Sequence, residues 1–448
     1  MCVSANASQP AAKASSSFPM KDTSVLEVMD QARDLSRGSY THCDASLAAG
    51  IKKLPELSSE EPLYGVLHLG HIAGDDPSAV PAFNFVIDES RGPGKGYDRL
   101  YLDLDRDLDL AEEKPLSPGE KPARDRGPSL QEVLFETAVL NLGKDPEATT
   151  SIEVLPKLRC YEGRPPYLSF LQARVKKGEV TIGGRKYQAV LGHPHTLSNR
   201  YDTPDTGLFL IGEGTNNYGW WGRDTLKAVR KFGDAFYAFA ASSSGDELTI
   251  SPYAGELGVF RVEAGGRELK GELTASGSLA SPKRNVAVGG DEDDGWPEPA
   301  PACRIPTGDY YPSYLRIRFG ALSVFLSNNY HGRGTEGRSS EPVRGIRIRP
   351  DAPFVFDFSN TPEVIFSSPA EGQEVEAGTT VKVASVLVDP ELDIMVRGLD
   401  DTRRKAKKEY PTSGGETISV EEDYSLDPKV LITRADGERV VEGVMPFG

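Results

Sequence analysis

The chain has 448 residues, with 67 Asp and Glu against 51 Lys and Arg and a net charge of −16. That charge argues against a nucleic-acid backbone or an anionic membrane surface as partner and is compatible with cations. The length suffices for two to four domains with cores of their own, and no apolar run is long enough to span a bilayer or to form a signal h-region.

The 46 Gly and 33 Pro make up about 18% of the chain, against an average near 12%, and turn punctuation that dense favours many short strands over long helices. The four cysteines, Cys2, Cys43, Cys160 and Cys303, are far apart and lack a Cys-x-x-Cys pair, which removes zinc-ribbon and thioredoxin-type readings. Cys2 follows Met1 and precedes the Ser/Ala-rich Ser4 to Ser17. This beginning matches a mature bacterial lipoprotein, lipidated at Cys2, and equally an ordinary disordered tail.

In chain order, Asp22-Thr23-Ser24 offers helix caps, and Val25, Leu26, Val28, Met29, Ala32 and Leu35 recur at helical spacing until Gly38. The period then changes to that of strands at Leu63 to Leu69, Ala82 to Asp88 and Arg99 to Leu104, divided by Gly, Pro and Asp clusters.

Next comes the only place where one chemical group recurs at fixed spacing: Asp103, Asp105, Asp107 and Asp109. Counted from Asp103, these occupy positions 1, 3, 5 and 7 of a calcium loop, the early ligand positions of an EF-hand, with Glu112 and Glu113 near the closing position. Two departures stand out. Position 6, where the turn calls for Gly, is Leu108, at a cost of about 1–2 kcal/mol in a left-handed conformation, and position 12 is Lys114. The same stretch also reads as a half-buried strand, because Leu100, Leu102, Leu104, Leu108 and Leu110 fall between the acids.

Lys114 to Ser129 carries four prolines and reads as a loop, with strands at Val133 to Val139 and Ile152 to Leu158 beyond it. Gly178 to Leu191 is a hairpin turning at Gly183-Gly184. Thr206 to Thr215 can be laid over Asp98 to Asp107 without a gap, which suggests a duplicated β-unit in which the second copy has lost most of its acids. Asp202, Asp205 and Glu213 there make a weaker cation candidate or simple turn acids around Pro204. Tyr218, Trp220 and Trp221, in a Gly-flanked loop after Asn216 and Asn217, suit stacking on sugar faces or plugging a core. Tyr310, Tyr311 and Tyr314 carry the same two readings. His193 with His195, and His68 with His71, are pairs without a third ligand.

Strands continue at Phe236 to Phe239, Glu247 to Ser251, Gly258 to Val262 and Leu269 to Thr274, and Ser313 to Ser327 forms a hairpin around Gly320. A boundary falls at Ser359 to Pro362, after which Glu363 to Ser367, Thr379 to Val388, Lys429 to Thr433 and Val440 to Met445 make a strand set of Ig-like size. The clusters Arg344 to Arg349 and Arg403 to Lys408 are neighboured by acids and read as solvated edges.

The Asp-rich stretch after Gly96-Tyr-Asp-Arg-Leu-Tyr101, the hairpin Gly178 to Leu191, Ser368-Pro-Ala-Glu-Gly372, Asp389 to Asp401 and the terminal Met-Pro-Phe-Gly448 together resemble an uncharacterised family of exported bacterial proteins. These carry a dockerin-like or EF-hand-like Asp-x-Asn-x-Asp-Gly-Asp-Leu segment and an Ig-like C-terminal module. The resemblance covers most of residues 60 to 448. It implies an extracytoplasmic location, in the periplasm, on the outer surface or secreted, and calcium at Asp103, Asp105, Asp107 and Asp109. It specifies architecture, not activity.

The expected fold is mainly β, a multidomain β-sandwich protein with an Ig-like C-terminal domain and one short N-terminal helix. The expected segments are a tail and helix over 1–59, a β-domain over 60–245, a sandwich-like middle domain over 246–361 and the Ig-like domain over 362–448. The chain lacks Gly-x-Ser-x-Gly, His-Glu-x-x-His, P-loop and dinucleotide fingerprints in their required context. The expected function is therefore non-enzymatic: a structural or binding protein stabilised by calcium at Asp103, Asp105, Asp107, Asp109 and Glu113, with a surface polysaccharide or a protein as partner. The alternative is a glycan-binding or glycan-hydrolysing protein that uses loop aromatics and paired carboxylates.

Overall fold

A computed structural model describes residues 14–44, 46, 50–68, 81–93, 95–119, 130–141, 151–161, 165–212, 225–290, 297–330, 345–370, 372–376, 378–411 and 417–447. The chain is mainly β, in several sheets, with one short α-helix near its start. Alternation of apolar and polar residues, punctuated by Gly and Pro, has produced short antiparallel strands, as that pattern dictates.

The layers that position the candidate site are two sheets packed face to face. One is the antiparallel meander Leu63–His68, Ala82–Asp88, Arg99–Leu102. The other runs in the order Ser39–His42, Tyr167–Gln172, Ser151–Tyr161, Leu130–Leu134, with Ala138–Asn141 also paired to Ser151–Tyr161. Phe83, Phe85, Ile87, Leu100 and Leu102 of the first meet Leu158, Leu168 and Phe170 of the second in one buried cluster. Each fully buried side chain of this kind contributes about 1.5–3 kcal/mol.

The outer face of the second sheet is partly covered by the N-terminal segment: Val25, Val28, Ala32 and Leu35 pack on Leu134, Leu155 and Leu171. The helical periodicity of 25–35 is realised only as an α-helix at Val25–Val28, capped by the Ser24 side chain, and a 3-10 turn at Arg33–Ser36. A helix this short is marginal by itself, and packing on the sheet, not propensity, fixes its extent. Residues 16–24, expected in the tail, form the strands Ser16–Pro19 and Lys21–Ser24, which pair with Glu247–Pro252 and Arg174–Ile182. Met20 between them is buried in the core with Leu191, Leu208 and Leu248, and that burial ties the segment down.

The Gly183-Gly184 hairpin joins Arg174–Ile182 to Arg185–Gly192, with φ of +61° and +87° at the two glycines, the left-handed pair that a tight two-residue hairpin turn requires. The Gly320 hairpin joins Gly308–Gly320 to Leu322–Asn329. Beyond the boundary read at 359–362, Glu363–Ser368 and Ala384–Asp389 are strands, followed by Ile394–Pro411, Thr417–Ser425, Lys429–Thr433 and Arg439–Val444. Backbone pairing crosses that boundary: Leu322–Asn329 bonds to Ile394–Pro411 in a thirteen-stranded sheet that starts at Ser16–Pro19 and ends at Glu363–Ser368.

Candidate metal centre

The Asp-rich stretch is neither a continued strand nor a free acidic run. The edge strand stops at Leu102, and the chain returns at Leu116, which exchanges both backbone hydrogen bonds with Leu100 at 3.0 and 2.8 Å. Between them lies a compact closed loop whose ends lie close together. Leu110 pins it from within, fully buried against Tyr64, Val86 and Tyr101, and Leu104 packs on the inter-sheet core.

The two-residue spacing of the acids has a local cause. The Asp105 carboxylate accepts the Asp107 amide at 3.3 Å, Asp107 accepts that of Asp109 at 2.7 Å, and Asp109 accepts that of Ala111 at 3.2 Å. This is a staircase of side-chain turns, each acid capping the backbone two residues on. The steps place Arg106 and Leu108 at φ of +65° and +71°. Leu108 thus adopts the conformation that its position in a calcium loop demands and carries the strain that a Gly would avoid.

Within the staircase the acids fall into two sets. Lys52 and Lys53 come from a distant segment whose backbone is bonded to Leu108 and Leu110. The Lys53 ammonium pairs with the Asp109 carboxylate, and Lys52 Nζ donates to the Asp107 carbonyl oxygen at 2.9 Å. The hydrogen bond from Lys53 holds the Asp109 carboxyl below its ordinary range and raises the Lys53 ammonium. The inner set is Asp103, Asp105 and Glu113, whose ligand oxygens all lie within 4.8 Å of one another. Asp103 is fully buried beside Asn84, whose amide donates to it at 3.4 Å, and Glu113 accepts the Leu104 amide at 2.8 Å. Among the described residues no salt bridge reaches any of the three.

Burial pushes the Asp103 and Glu113 carboxyls above their ordinary range, and the charge of Asp105 adds to the push. Two unit charges this close repel by about 1 kcal/mol in water and by about 3–4 kcal/mol at an effective dielectric of 20. A divalent cation would turn that repulsion into attraction. Three carboxylates offer up to six oxygens, a donor set that suits calcium, which takes six to eight oxygens in tolerant geometry, better than magnesium with its strict octahedron. The group thus contains Asp103, Asp105 and Glu113; Asp107 and Asp109 serve the staircase and the lysine segment instead. Nothing local in the sequence singles out Asn84, Lys52 and Lys53, since only the fold brings them to the loop.

The other candidates fall elsewhere. Cys2, His71, Glu213, Tyr218, Trp220 and Trp221 lie outside the described residues. Asp202 is paired with Arg200 and Asp205 with Lys227, both at 2.8 Å. His193 is buried against the Tyr201 ring at 5.4 Å, while His195 is exposed in the bend beyond it. Tyr310 is buried, with its hydroxyl donating to the Pro306 carbonyl at 3.0 Å, and the Tyr314 ring packs on Phe325 at 4.5 Å. Cys43, Cys160 and Cys303 are not joined in disulfides among the described residues. No helix among the described residues is long and apolar enough to cross a membrane.

Comparison with known protein families, curated proteins and solved structures finds no match to this chain.

Proposed function

We propose that this chain is a non-catalytic binding or structural protein of the extracytoplasmic space, whose loop at 103–115 takes calcium through Asp103, Asp105 and Glu113. One observation carries the cation reading: three convergent carboxylates, one of them fully buried, lie beside Asp109, which already has Lys53 as its counter-charge. The ion neutralises the inner set and fixes the loop against the sheet edge. Its role is stabilisation, because the scaffold is closed around the loop by Leu104, Leu110 and the Leu100–Leu116 pair.

Extracellular modules bind calcium with dissociation constants of about 10⁻⁴–10⁻³ M. At ten times such a constant, linkage adds roughly 1.4 kcal/mol of stability, which a melting curve resolves. The test compares melting in EDTA and in millimolar calcium for the wild type, for Asp105→Asn with Glu113→Gln, and for Asp107→Asn. The wild type and Asp107→Asn should both be raised by calcium, and by less in magnesium; the double variant should not respond. No calcium-dependent shift in the wild type, or an undiminished shift in the double variant, overturns the reading.

A further inference from the structure

Among the described residues, the outer face of the five-stranded sheet is only half covered. The N-terminal segment lies over Leu134, Leu155 and Leu171, and Lys157 on the same face donates to the Ser36 carbonyl. At Gly38 the chain turns off this face to become the edge strand Ser39–His42. Beyond the turn the register sets His42, Tyr167, Arg159 and Glu132 in one row across four strands, with Tyr40 and Tyr161 flanking it.

These side chains form a connected aromatic surface. The Tyr40 ring lies 5.8 Å from both His42 and Tyr167, His42 lies 6.0 Å from Tyr167, and Tyr161 is nearly parallel to Tyr167 at 6.0 Å. Tyr40 is 64% exposed and His42 is exposed, although large rings ordinarily bury. Tyr167 is held in place, since its hydroxyl takes a hydrogen bond from Arg159 Nη1 at 3.2 Å while Arg159 Nε bonds to Glu132 at 2.8 Å.

We propose that this uncovered aromatic face, built from Tyr40, His42, Tyr161 and Tyr167, binds a neutral polysaccharide. Sugar rings present an apolar C–H face and a rim of hydroxyls. The patch presents the complement, ring faces and edges with phenol and imidazole groups at their margins. Charge selects the neutral class: the one guanidinium in the row is neutralised by Glu132, and a net charge of −16 disfavours polyanions. Fixing Tyr167 through Arg159 and Glu132 lowers the ordering cost of binding. The inference rests on the reading of this chain as a binding protein and is independent of calcium.

The probes are xylan, mannan and barley β-glucan, with polygalacturonate as the acidic control, each cast in native gels through which the full chain migrates. Wild type should be retarded by at least one neutral polymer and not by polygalacturonate. Losing one ring contact of about 0.5–1.5 kcal/mol corresponds to a Kd raised roughly 2- to 12-fold in Tyr40→Ala, with His42→Ala weakened similarly and Tyr40→Phe near wild type. Unchanged melting temperatures would show that these exposed positions act on binding and not on folding. Binding in EDTA should equal binding in calcium, so failure of the calcium reading leaves this one standing. Four results overturn it: no retardation by any neutral polymer, retardation by polygalacturonate alone, retardation indifferent to Tyr40→Ala and His42→Ala, or a wild-type dimer that Tyr40→Ala converts to monomer without any polysaccharide binding.

Discussion

At the scale of single residues, His193 shows how burial sets a pH response. Its ring is 3% exposed, Nε2 has no hydrogen-bond partner among the described residues, and burial pulls its pKa down to about 4 from 6.5. The folded chain therefore keeps His193 neutral where the unfolded chain binds a proton, so stability falls as pH drops from 6.5 towards 4 and levels off below that. The full loss from this group is on the order of 3 kcal/mol. Urea unfolding between about pH 7 and pH 4.5 should show the decline, and His193→Gln should flatten it; an equal slope in the variant would assign the decline to other groups. The residue scale is also where sequence reading reaches furthest into the candidate site. Asp103, Asp105 and Glu113 are legible because their spacing is local. The assignment of Asp109 to Lys53 is not, because the partner lies 56 positions away and only the fold brings it close.

Among the elements, those with a local chemical signal are legible. The Gly183-Gly184 and Gly320 hairpins sit where left-handed turn residues divide alternating runs. The longest strand, Ile394–Pro411, carries no such signal along most of its length. From Arg403 to Lys408 it is mostly charged, and its support comes from cross-strand partners such as Asp423 opposite Lys405 and the Tyr424 ring under Arg404, not from apolar alternation. The Val25–Leu35 periodicity marks a buried stripe but not its interruption, since its apolar side chains reach the sheet from a helical turn and a 3-10 turn alike. The element that frees the aromatic face turns on Gly38, at φ +66°, where a Cβ would stand 2.5 Å from the Phe170 carbonyl oxygen. Gly38→Ala adds left-handed strain of about 1–2 kcal/mol to that clash, so a loss of at least about 2 kcal/mol is expected. Denaturant titration measures it, and a loss under about 0.5 kcal/mol would mean that the turn relaxes freely.

For the whole molecule, the question is what holds residues 362–448 to the rest. Composition marks a boundary at Ser359 to Pro362, yet Ile394 and Val396 lie in one buried cluster with Ile317, Val324 and Leu326 from before it. Leu322–Asn329 supplies the ladder on which Ile394–Pro411 is built. A fragment of residues 362–448 would uncover both side chains, at about 1.5–3 kcal/mol each, and open a strand edge. It would also keep the apolar residues it already exposes, among them Val364, Phe366, Leu431 and Val444. The sum, roughly 3–6 kcal/mol, is comparable to the total stability of a small domain, about 5–15 kcal/mol. The fragment 362–448 should therefore aggregate or melt without cooperativity, whereas 257–448, which retains every member of that cluster, should unfold in a single sharp transition in urea. A cooperative transition in the shorter fragment would show that the ladder across position 362 joins two units that are each stable alone.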